Sequence, residues 1–143
     1  MRYILFVSFL ILRINVSAQV DTVYQVSDVN TKPEYKGDVY KFLTNNLRYP
    51  NLAKQNGTQG KIYAHFIINE DGRISDVTIN KHIRYVYDRA TGETTNKEVD
   101  SLGDGLEKEA IRVIKLMPAW EPAIKNDKPV KVFMTFPLVF KLS

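Results

Sequence analysis

Cysteine is missing from all 143 residues, which removes disulfides, thiol catalysis and thiolate metal sites and leaves nothing to carry a lipid at an export cleavage point. Histidine occurs only as His65 and His82, with no partner at metal-ligand spacing. Both read as solvated or cross-strand polar groups, so no metal or other cofactor is expected. Lysine and arginine form no block, the formal charge is only +4, and no nucleic-acid module is present, so no nucleic-acid partner is expected. Nor is there a Ser-His-Asp order, a glycine-rich phosphate loop or a convincing carboxylate pair, and Asp71 and Asp76 are accounted for by a turn and a bulge. The chain reads as a binding protein rather than an enzyme. Asn56-Gly57-Thr58 fits a glycosylation acceptor, but a turn explains it equally well.

Long apolar runs are also lacking. The longest, ten apolar-leaning residues from Tyr3 to Leu12, would rise only ~15 Å as a helix against a hydrocarbon core of ~30 Å. Arg2 precedes the run, Arg13 interrupts it, and Val16-Ser17-Ala18 offers the small residues that a signal peptidase reads. Residues 1–18 are therefore predicted to be a cleaved signal peptide, with Gln19 as the new terminus. The leader carries Arg2 and Arg13 and no acid, so its loss lowers the charge excess from +4 to +2. A periplasmic location follows; retention of residues 1–18 would instead give an inner-membrane anchor, and only then is membrane contact expected.

What remains fits one compact domain, since 44% of the residues are hydrophobic and the length suffices for a real core. Residues 19–32 are polar and read as a tether or loose edge strand, and residues 33–143 as the domain. Asp38 can cap a short helix carrying Val39, Phe42, Leu43 and Leu47; Pro50 opens a second, which Asn56-Gly57 stops. Strict alternation of Ile62, Ala64, Phe66 and Ile68 predicts a strand over 60–68, and 73–79 returns antiparallel after the Asn69–Gly72 turn, with a bulge near Ser75-Asp76. The polar stretch 84–104 is read as an insertion, either a protruding hairpin or a loop. Asp104 three residues before Glu107 resembles a capping box opening the clearest helix, in which Leu106, Ala110, Val113, Ile114 and Met117 share one stripe.

Pro118 ends that helix, and after a turn at 126–128 every even position from Val130 to Leu142 is apolar, which predicts a last strand with one buried face. Pro137 lacks the amide hydrogen a central strand needs, so this strand is predicted to lie at the edge. A three-stranded antiparallel sheet packed on one main helix, with short N-terminal helices, follows as an α+β fold. Trp120, held between Pro118 and Pro122, is then expected to plug the open end of the helix-sheet interface. An open edge recruits partner strands through backbone hydrogen bonds and needs no distinctive side chains.

The succession YPNLAKQNGTQGKIYAHFIINEDGRISDV, LEKEAIRVIKLMPAWEP and KPVKVFMTFPLVFKL resembles the carboxy-terminal domain of the TonB family of energy transducers, over roughly residues 33–143. The resemblance implies a periplasmic module that contacts a peptide segment of an outer-membrane receptor, or another envelope protein, by strand addition, in TonB-dependent transport. Carried over by position, the contact strand comprises Val132, Phe133, Met134, Thr135, Phe136, Leu138, Val139 and Phe140, with Pro137 removing one donor. The long spacer of a full transducer has no counterpart here. A short anchored transducer and a structural envelope protein that dimerises through its sheet edge are the alternatives.

Overall fold

The computed structural model describes residues 20–143; the expected leader, residues 1–18, lies outside the described residues. Strands and helices follow in the order β1 (Val23–Gln25), α1 (Val39–Asn46), α2 (Asn51–Asn56), β2 (Gly60–Ile68), β3 (Ile74–Tyr87), β4 (Thr94–Val99), α3 (Leu106–Lys115), β5 (Ala123–Lys125) and β6 (Lys128–Phe140). The sheet order is β1-β6-β2-β3-β4, and β5 pairs with the start of β6. The α+β class holds. The expected three antiparallel strands are present as β6-β2-β3, but the sheet has six, because β1, β4 and β5 form from segments too polar or too short to show a strand period.

Burial in β2 alternates without a fault, and Ile62, Ala64, Phe66 and Ile68 share one core with Leu106, Ala110, Val113 and Ile114 of α3. Each fully buried side chain of isoleucine or phenylalanine size contributes about 1.5–3 kcal/mol, so this seam dominates stability. The β2-β3 register slips twice, between Tyr63 and Ala64 and between His65 and Ile67. The second slip sets Asp76 at φ +53°, which is the expected bulge.

Beyond the Gly60–Arg84 pair the Tyr85 amide still donates to the Gln59 carbonyl, and β3 then outruns β2 beside β4, Tyr85 facing Asn96 and Tyr87 facing Thr94. The 84–104 stretch is thus a projecting hairpin arm followed by a loop into α3. At that helix start the expected capping box is not made. Asp104 adopts φ +57°, Gly105 is the capping residue with no side-chain bond, and the Asp104 carboxylate accepts from Asn56 and Thr58 instead. Glu107 turns back to the loop, where its Oε1 accepts from the Leu102 and Gly103 amides. Left-handed backbone at Gly103, Asp104 and Gly105 in succession is what redirects both carboxylates.

Trp120 lies on the connector from α3 to β5 and is 5% exposed, edge-on to Tyr35 at 5.3 Å between ring centroids. Its amide donates to the Gly72 carbonyl at 2.9 Å, which fastens the β2-β3 turn to this connector. Residues 29–35 run alongside as well: the Asn30 and Thr31 amides donate to the Ile124 carbonyl, and Glu34 and Glu121 exchange backbone bonds.

The largest departure from expectation concerns β6. It is not an edge strand along its whole length, because β1 pairs parallel to it, Val23 with Lys131, Tyr24 with Val132 and Gln25 with Phe133. At Val132 and Phe133, β6 therefore has β2 on one side and β1 on the other.

Candidate strand-docking site

From Met134 to Phe140 the situation changes. This stretch pairs with β2 in unbroken antiparallel register, Met134 with Phe66 through Phe140 with Gly60. Its opposite side carries no strand among the described residues. Proline is tolerated in a strand where its amide side faces away from a partner, and Pro137 sits midway along this stretch. Even-numbered side chains point to the core: Leu138 and Phe140 are buried, Met134 and Phe136 half-buried, whereas Thr135, Pro137 and Val139 are exposed.

Of the eight residues assigned from sequence, Met134, Thr135, Phe136, Leu138, Val139 and Phe140 lie on the open stretch. Val132 and Phe133 do not, since β1 occupies their outer side. Phe133 meets His65 edge-on at 4.7 Å across the open face of the sheet. His82 lies elsewhere, with Nε2 3.4 Å from Glu107 Oε1. No group of three potential metal ligands exists among the described residues.

Helix α1 forms a wall beside the open stretch. Tyr40, Leu43, Thr44 and Leu47 together with Pro137, Leu138 and Val139 enclose a groove of about 280 Å³. Tyr40 at its rim is 77% exposed, a large exposure for an aromatic ring. Sequence reading assigned Leu43 and Leu47 to the core stripe and missed their second role as wall. The one legible signal was Tyr40, an aromatic residue standing off that stripe.

The wall is held in place locally and from across the fold. Asp38 caps α1 by accepting from the Tyr40 and Lys41 amides at 2.9 and 3.0 Å. At the other end the Arg48 amide donates to Glu109 Oε1 at 2.6 Å, while Arg112 donates to both Glu109 oxygens and to the Asn46 carbonyl. Burial pushes the Glu109 carboxyl upward, but these donors outweigh it and hold the group below the usual glutamate range. α3, the core helix, thereby fixes the C-terminal end of α1 relative to β6.

The arrangement offers a backbone ladder with an apolar side slot. A strand laid on residues 134–140 would bond main chain to main chain and turn every second side chain toward the α1 groove. No general acid, nucleophile or phosphate cradle accompanies it.

Residues 45–98 match the family model described as Gram-negative bacterial TonB protein C-terminal. No curated protein matches the chain. Among solved structures, the TonB C-terminal domain of Helicobacter pylori is 19% identical with a TM-score of 0.43, covering 73% of this chain and 77% of that one. The Pseudomonas aeruginosa TonB C-terminal domain is 22% identical with a TM-score of 0.42, covering 82% of this chain and 89% of the other. The matched stretch runs from the end of α1 through β2 and β3 into β4, and over residues 45–98 the chain is similar to the TonB C-terminal family.

Proposed function

We propose that the protein is a periplasmic binding module that takes up an extended segment of an outer-membrane receptor, or of another envelope protein, as an added strand on residues 134–140. The observation that carries this reading is the unpaired outer side of β6 lying directly beside the apolar α1 groove. Backbone bonding supplies affinity, and the groove supplies selection for an apolar residue at alternate positions of the guest. The general engagement of outer-membrane receptors by TonB C-terminal domains agrees with this reading. Export through the 1–18 leader belongs to the same proposal, and mass spectrometry of the native protein tests it: a chain beginning at Gln19 would support it and one beginning at Met1 would overturn it.

Peptides copied from the periplasmic segments of receptors encoded in the same genome provide the test. Amide shifts are expected to concentrate in residues 134–140 and 40–47. Tyr40→Ala should weaken binding about fivefold to thirtyfold, the range for an exposed aromatic anchor, and leave the unfolding midpoint unchanged. Spectra that stay the same with every receptor segment would overturn the reading.

A further inference from the structure

Strand β1 abuts the open stretch. It lies on the same outer side of β6, and its pairing with Lys131–Phe133 stops one residue short of Met134. A guest strand growing along β6 from Phe140 toward its start therefore meets β1 end-on. β1 is only three residues long and buries none of them fully. Beyond its ladder it is held by Asp21 to Lys131 at 2.7 Å, by the Lys125 ammonium 4.5 Å from the centre of the Tyr24 ring, and by half-buried Val26, the next residue, against the core. Asp21 itself is 68% exposed, so its ion pair is of the weak surface kind.

The chain then leaves the edge through a single 3₁₀ turn, Val26–Asp28, and is tied down again at Asn30 and Thr31 by Ile124 and at Glu34 by Glu121. These ties lie on the β5 connector and not on the open stretch. Residues 20–28 can thus swing off β6 about a fixed point at residue 30, giving up the packing of Val26 on the rim of the core and the Lys125 bond to the Asp28 carbonyl while the α3 helix stays tied to β2 and β3.

We infer that β1 is a built-in competitor for the docking edge: it covers residues 131–133 in the resting protein and is displaced when a longer guest strand pairs with residues 131–140. This inference rests on the docking reading and adds regulation to it. Because the occupied edge is available only in the fraction of molecules with β1 released, apparent affinity falls by that fraction. The release step also makes the length of the guest, and not its sequence alone, a determinant of binding.

The absence of cysteine gives a clean test. Val23 and Lys131 are register partners on adjacent strands, so Val23→Cys with Lys131→Cys places one disulfide across β1 and β6 in the otherwise complete chain. The probe is a capped ten-residue peptide alternating threonine and valine, titrated against the oxidised and the reduced forms. Reduction is expected to tighten binding about tenfold. Tyr24→Pro, which removes a β1 amide, should likewise bind about tenfold more tightly than the unaltered chain. On binding, amides of Val23–Gln25 should lose hydrogen-exchange protection as those of 134–140 gain it. Equal affinity for oxidised and reduced forms, with β1 still protected in the complex, would overturn the competitor role and leave docking standing. Failure of this peptide and of the receptor segments to bind either form would remove the docking reading, and the competitor with it.

Discussion

Gly72→Ala is expected to lower stability by about 3–5 kcal/mol, among the largest effects a single substitution can have. Gly72 occupies φ +83°, where an L side chain is strained, and a Cβ built on it would run into the Trp120 carbonyl. The obstacle is backbone, so no rotamer change relieves it. The Gly72 carbonyl also receives the Trp120 amide, and moving the turn aside would break that bond and loosen the Tyr35–Trp120–Phe66 aromatic group. Urea unfolding monitored by circular dichroism measures the loss. A shift of the midpoint no larger than that of Gly92→Ala, which has a similar φ of +74° but nothing within 4 Å, would refute the steric account.

Glu109→Ala comes next, with an expected loss of about 2–4 kcal/mol, somewhat less than for a fully buried pair because Arg112 is partly open to water. Three donors lose their acceptor at once: the Arg48 amide and two nitrogens of Arg112. Because these bonds position the α1 end of the groove, docking should weaken in the same variant even at temperatures where it remains folded. The carboxylate also predicts an acid limb. Its folded pKa lies below the ordinary glutamate value, as does that of Glu107, where burial acts upward but the Ser101 hydroxyl and loop amides prevail. Stability from both groups is complete above the unfolded glutamate pKa and is lost as pH falls through the lower folded values. Unfolding midpoints should accordingly drop below about pH 4, and the Glu109→Ala variant should show a shallower fall. An acid limb as steep as that of the unaltered chain would refute the assignment.

The β6-β2-β3 ladder and α3 were legible because their apolar residues recur at the periods of strand and helix. Asp38 and Gly57 were legible as start and stop chemistry, and both perform it here. β1 was legible only as one of two readings, tether or loose edge strand, since Val23, Tyr24 and Gln25 bury no side chain fully. β4 was left open between hairpin and loop for the same reason: Thr94–Val99 contains one apolar residue and is exposed nearly throughout. The Asp104–Glu107 spacing misled because three successive left-handed residues precede α3, a conformation that pairwise spacing cannot reveal. Of the proposed docking site, the strand was readable from alternation and Pro137. The α1 wall required knowing which face of a helix meets which end of a strand, and that is a tertiary fact.

Trp120 is the chain's only indole, and it is sealed where the α3-β5 connector, the β2-β3 turn and Tyr35 meet. Fluorescence excited at the red edge of protein absorbance is therefore a single-point gauge of that junction, with no average over other fluorophores of its kind. Comparing it with a helix signal through a denaturant titration asks whether the seam between turn and connector parts in step with the rest of the domain or yields first.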